Sequence, residues 1–524
     1  MIVLSCNPKT QYNPMQKSVP LLTIFLDMCA VNDQLVDFLV SGHDQEVNDG
    51  NGKSIFTDGK MLFQNDFFTE QVDVVSCYIT VTFLIEVMSS ANARVVWDRS
   101  NDSHKENEMI LKENIPMSAK RGEESTQSKA LLSESSSKHI CCCYCLPDDP
   151  KPSVFDINEL FSLTDLTKMY FSTVGDLLSR ITLMLGIYGS LAMFLTMVPF
   201  SLTELFCNIP SCTGESNFTS NSYDENHCWG PISRINAYRI FLAGFVLLIG
   251  PFVFFSIQKN KFIQIFATIV SFSVFCIMFI MAFHLLAIGR GKGNPALANF
   301  SALPNIFGAC SLAAVSHATL PHIIPPILNK ANLGLGIAIV FIVVGAFYAL
   351  LSLTITFTFE NDKIQEIVLL NFLDCSIVPG VFFIYFLGLY TTFKVSAIFP
   401  LNAVALRDNI WAMFGSFQCS RIWAVERLFF PLLAIIPPTV IAVVTENIEV
   451  IVGITGSYAA TTIQFIIPPL LVHYSRIDTQ EKFGPSVRIK HASPFQHNFW
   501  IILAIIFAVF TITTVTILYI THQS

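Results

Sequence analysis

The sequence predicts an all-α polytopic membrane protein, and three observations carry that expectation. Of its 524 residues, 52% are hydrophobic and only 13% are charged, whereas a soluble domain carries about 25% charge. Apolar runs recur at the length that crosses a bilayer, about 20 residues at roughly 1.5 Å each. Lys and Arg gather in alternate connections, as they do in cytosolic loops. The expected partner is therefore the lipid bilayer. A net charge of −8 gives no clustered cations for phosphate contacts, so nucleic acid is not expected.

Residues 1–72 are polar and acidic, and Val19–Val31, their one apolar patch, is short and interrupted by Asp27. This segment is expected to be disordered. No basic region precedes an apolar core there, so no signal peptide is expected. The first spanning helix is placed at 73–93, with Glu86 towards its end. Arg94, Arg99, Lys105 and Lys112 follow it and only Lys60 lies close before it, which puts its N-terminal end outside or in a lumen. A long tail would then have to cross without a signal, which points to a missing earlier helix.

Residues 94–165 read as a polar cytosolic loop containing Cys141, Cys142, Cys143 and Cys145. Zinc would need a second spaced pair of ligands, and none is nearby. S-palmitoylation is one reading, and an unmodified reduced cluster is the other. A membrane domain covers 166–520 and a short tail 521–524. Its first helix is expected at Ile181–Phe200. The loop after it carries Cys207, Cys212, Cys228 and the sequon at Asn217. A lumenal face would permit glycosylation and disulfides there, with Cys375 a further candidate partner. The sequon at Asn299 lies too near a helix to be used.

Further spans are expected at Tyr238–Ile257, Phe262–Ile288, Asn305–Leu328, Leu335–Phe359, Ile377–Leu406, Leu428–Thr445, Val450–Tyr474 and Phe499–Ile520. The total is ten. Lys330, Arg407, Arg421, Arg427, Arg476, Lys482, Arg488 and Lys490 fall on the cytosolic side. Only Arg234, Arg290, Lys292 and Lys363 fall on the other.

Asn305–Leu328 departs from an ordinary span. Gly308, Ser316, His317, Thr319 and Pro321 interrupt it, and Pro325 and Pro326 follow. Proline removes backbone donors, so the helix is expected to open between Val315 and Pro321. Unpaired backbone at membrane depth is tolerated only against protein or a water-lined cavity, and secondary transporters build binding sites from it. Gly308, Ser316, His317 and Thr319 are therefore candidate substrate-binding residues. A kinked helix with small packing residues is the plainer reading. His317 and His322 are further candidates for proton coupling, set against ordinary packing roles.

Lys394 is the second anomaly. It lies twelve residues before Leu406, near mid-membrane, where a lysine costs at least about 2.5–3.5 kcal/mol to insert. With Thr391 and Ser396 it forms a candidate coupling group, against a structural hydrogen bond to exposed carbonyls. Small residues from Gly453 to Thr462 read as close helix packing rather than as a ligand site.

Phe83-Leu-Ile-Glu-Val-Met88, Val198-Pro-Phe-Ser-Leu202, Cys228-Trp-Gly-Pro231, Ala237-Tyr-Arg-Ile240, Val452-Gly-Ile-Thr-Gly456 and Ser493-Pro-Phe495 together resemble the transmembrane protein 104 family. That family is a divergent branch of the amino acid/auxin permease group. The resemblance runs from Val74 to Ile520, and implies a LeuT-like inverted repeat of five plus five helices and one extra. The helix opening the first repeat, with its Gly-rich break, has no counterpart in residues 1–72. The resemblance pairs the Lys394 helix with Ile181–Phe200. Sodium-coupled relatives hold an ion there with hydroxyls, so an ammonium implies sodium-independent or proton-coupled transport.

The expected function is secondary active transport of amino acids or similar small zwitterions, by alternating access around the broken helix. The alternative is a non-transporting sensor or scaffold that keeps the fold. An enzyme is not expected, because no metal-ligand pair, nucleophile elbow or phosphate loop stands in the sequence. No cofactor or metal is implied. The plasma membrane and endolysosomal membranes both suit a glycosylated multi-span chain.

Overall fold

The computed structural model describes residues 62–113, 154–207, 227–254, 261–293, 303–359, 367–414 and 428–523, apart from isolated positions within them. Cys141, Cys142, Cys143, Cys145, Cys212, Asn217, Asn299 and Cys375 lie outside the described residues.

Among the described residues, eight helices are long and apolar enough to cross a membrane, so this is a multi-pass integral membrane protein. The first, α1 (Leu62–Glu113), overruns both ends of the expected 73–93 span. Its 52 residues contain neither Gly nor Pro, so nothing in the backbone stops it where the hydropathy falls. Arg94 and Asp98, 3.9 Å apart at i,i+4, support the polar extension. The connection expected at 94–165 is therefore helical at its start. Its far end folds too, as α2 (Leu163–Tyr170), whose first turn is closed by a capping box between Ser162 and Asp165.

Next come α3 (Thr173–Cys207), α4 (Arg234–Ile249), extended by a tight turn to Phe254, and α5 (Lys261–Ala287). Between α3 and α4, β1 (His227–Trp229) pairs antiparallel with β2 (Ile232–Ser233). A disulfide from Cys207 to Cys228 ties that hairpin to the end of α3. The interrupted span follows as α6 (Leu303–Ala313) and the single turn α7 (Leu320–Ile323). Then come α8 (Leu333–Thr358), α9 (Val381–Phe414) and α10 (Phe430–Val444). At 15 residues, α10 is shorter than the roughly 20 a span needs.

The expected Val450–Tyr474 helix is divided into α11 (Ile448–Ile454), a π-helical turn (Thr455–Ala460), α12 (Thr461–Phe465) and α13 (Ile467–Phe483). The last helix is α14 (Asn498–Gln523). Burial sorts them. The most apolar window is 78% buried in α1 and 72% in 450–483, but only 29% in α14. The first two form the centre, while Leu247, Ile280, Ile342, Phe382 and Val444 point outwards, as lipid-facing residues do.

Candidate functional site

α6 ends at Ala313 and helix resumes only at Leu320. The reason is local. Ser316 offers its carbonyl to Thr319 N, Leu320 N and Thr319 Oγ1 in a tight turn, and Pro321 has no N–H with which to continue the α-helical ladder back. The break is held in place from α1. Thr80 Oγ1 lies 2.9 Å from His317 Nε2 within the break, and Ser311 Oγ lies 3.5 Å from Asp73 Oδ1 before it. Asp73, Cys77 and Thr80 are spaced i, i+4, i+7 and share one face of α1.

A second irregular backbone packs against α6, the helix that leads into the break. At the π-helical turn, Thr461 Oγ1 donates to the Gly456 carbonyl at 3.0 Å. π-turns of this kind concentrate at functional sites. Gly308 crosses this segment so closely that a Cβ on Gly456 would overlap the Gly308 carbonyl. Gly308 is thus set against Gly453, Gly456 and Ser457, as a packing residue at the crossing.

Ser316, His317, Ser457 and Gln464 are all buried. Among the described residues, Ser316 Oγ, His317 Nδ1, Ser457 Oγ, Gln464 Oε1 and Asp73 Oδ2 have no hydrogen-bond partner. Buried polar atoms normally find one, so a set of five around one interrupted helix marks a place suited to a polar ligand. Thr319 is half-buried. His322 lies in α7, after Pro321.

Lys394 is 1% exposed and its Nζ sits 5.8 Å from the Tyr390 ring centroid, at cation–π range. The Tyr390 hydroxyl donates to Ser271 Oγ on α5 at 2.7 Å. Thr391 is buried, and Ser396 donates to the Thr392 carbonyl at 2.7 Å. α9 packs chiefly on α3, α10 and α5, whereas α6, which leads into the break, packs on α1, α11 and the π-turn. The two groups singled out by the sequence are therefore carried by different helix contacts.

Sequence reasoning missed the role of Asp73, the first residue of the expected 73–93 span, and the pairing of Glu86 with Arg476. Glu86 takes Arg476 Nε at 2.7 Å, Arg476 Nη2 at 2.9 Å and the Ser493 N–H at 2.9 Å. Beyond it, Arg94, Lys482, Asp98 and Asp478 form a charged cluster at that end of α1. The signal available was a carboxylate inside an apolar run, which needs a partner.

Nearby chains fix the lineage. Over 444 residues the chain is 35% identical to transmembrane protein 104 of Homo sapiens, covering 82% of this chain and 85% of that protein. It belongs to the transmembrane protein 104 family. The homologue of Drosophila melanogaster is 32% identical over 378 residues, 69% of this chain and 74% of that one. The homologue of Dictyostelium discoideum is 26% identical over 472 residues, covering 84% and 87%. No protein-family model matches the chain.

Proposed function

We propose that this member of the transmembrane protein 104 family is a secondary active transporter of amino acids or similar small zwitterions. The observation that carries the reading is the break between Ala313 and Leu320, buried in the bundle and ringed by hydrogen-bonding atoms that lack partners. The C-terminal end of α6 at such a break offers a partial negative charge, suited to the ammonium end of a zwitterion. Ser316, His317 and Thr319 line the turn and are the proposed substrate contacts, with Gly308 setting the approach of α6 to the π-turn.

The reading includes a LeuT-like inverted repeat, within a branch of the amino acid/auxin permease group. Helix lengths support it: α3 and α9 have 35 and 34 residues and each encloses a proline, Pro199 or Pro400. α4 and α10, the next pair in the proposed order, have 16 and 15. Access would alternate by rocking one helix set against the other. Lys394, with Thr391 and Ser396, would supply a fixed positive charge where sodium-coupled transporters hold an ion.

The test is uptake of a radiolabelled mixture of proteinogenic amino acids into proteoliposomes containing the full chain. Saturable uptake above that of empty vesicles, reduced by His317→Ala, is expected. Binding of amino acids without flux would overturn transport and leave a sensor.

A further inference from the structure

We infer that Asp73, together with Ser311, Thr461 and Gln464, forms a proton-binding site that couples transport to a proton gradient. This rests on the transport reading only for the word coupling; the proton site itself stands on geometry.

Asp73 is 1% exposed on α1. Among the described residues its hydrogen-bond partner is the Ser311 hydroxyl, 3.5 Å from Oδ1, and Oδ2 has none. Gln464 is 0% exposed. Its Nε2 donates to the Ser311 carbonyl, while its Oε1 is without a partner. The Thr461 hydroxyl lies 3.3 Å from Ser311 Oγ. Two elements, α1 and α12, thus converge on Ser311 of α6, and the two unsatisfied valences of the carboxylate and the amide are both acceptors. What such a group lacks is a donor. A proton on Asp73 supplies one and removes a buried negative charge at the same time.

The surrounding charges point the same way. On α1 the buried Cys77 and Thr80 share its helix face, α6 contributes Ser311 with the buried Cys310 adjacent in sequence, and α12 brings Thr461 and Gln464 to Ser311. α8 carries no charged residue, and the described part of α14 none. The charged residues of α13, Arg476, Asp478, Glu481 and Lys482, begin beside Glu86, thirteen residues along α1 and so about 20 Å from Asp73. Among the described residues no Lys or Arg forms an ion pair with Asp73. Ser311 also stands in the last turn of α6, whose unpaired carbonyls give that end a partial negative charge.

The placement provides the coupling. Ser311 is two residues from the end of α6 at the break, and Thr461 directly follows the π-turn. A movement of α6 that opens the break to water on one side loosens the Ser311 contact, hydrates Asp73 and lets its proton leave to that side. On the opposite opening, the carboxylate takes a proton from the other bath. One O–H bond breaks and one forms per cycle, and the remaining charge movement belongs to the substrate.

The decisive experiment is infrared difference spectroscopy of the full chain in lipid across a pH step. A protonated-carboxyl band that shifts in deuterium oxide is expected at neutral pH, absent in Asp73→Asn and displaced in Gln464→Leu. In proteoliposomes with the amino-acid mixture, Asp73→Asn is expected to lose uptake driven by a pH gradient. A band that survives Asp73→Asn, or uptake driven by sodium and indifferent to pH, would overturn the proposal. A band removed by Asp73→Asn without any flux leaves the proton site and refutes transport. Proton-driven uptake untouched by Asp73→Asn does the reverse.

Discussion

Glu86 shows how much of this protein's chemistry is settled by single partners. Its side chain is 3% exposed and is bound by two nitrogens of Arg476 and one backbone N–H. Removing one member leaves a buried charge uncompensated, so Glu86→Gln should cost about 3–5 kcal/mol. That loss is read as a lower unfolding midpoint in detergent, and Glu86→Gln with Arg476→Met should lose less than the sum of the two single changes. At Gly456 a Cβ would meet the Gly308 carbonyl and Cα, both backbone atoms that cannot turn aside. Gly456→Ala should destabilise by at least about 1–3 kcal/mol, measured the same way. The sequence made Ser316, His317 and Lys394 legible because each sits in an apolar run where a polar group is costly. Asp73 was not legible. At the edge of a hydropathy window an acidic residue looks like the end of a span, and its burial depends on α6 and α12, which are distant in the chain.

Helix existence was legible for the same reason that helix ends were not. Hydropathy reports where lipid contact stops, but a backbone without Gly or Pro continues, as α1 does to Glu113. The break at 314–319 was legible from Ser316, His317 and Pro321. The π-turn was not, because Thr455–Ala460 contains only residues that a regular helix also accepts. Its sequence signal was the cluster of small residues, which equally reads as close packing. The hairpin is the element whose hold on the bundle is covalent. The Cys207–Cys228 bond closes a separation of 21 residues, worth about 3 kcal/mol on loop entropy. Cys207→Ser combined with Cys228→Ser should lower the unfolding midpoint accordingly, and reducing agent should do the same to the parent chain but not to the variant.

At the scale of the whole molecule, the buried centre is formed by α1 and the divided helix from 448 to 483, with α6 between them. Ser316 and His317 in the break, and Gly456, Ser457, Ala459 and Ala460 in the π-turn, are buried against protein, as irregular backbone at membrane depth requires. Charge is sorted along α1: Asp73 near one end stands without a cation, and Glu86 with Arg476 and the Arg94 cluster occupies the other. Such an arrangement closes one end of the bundle with ion pairs and leaves the break as its polar interior. Cysteine accessibility at Ser316 tests this most directly. In Ser316→Cys, compared with the parent chain, a membrane-impermeant thiol reagent should label the new cysteine from each face in turn, and the amino-acid mixture should slow labelling. A cysteine that stays unlabelled from both faces would contradict the account, since the break would then be sealed packing and no transport site.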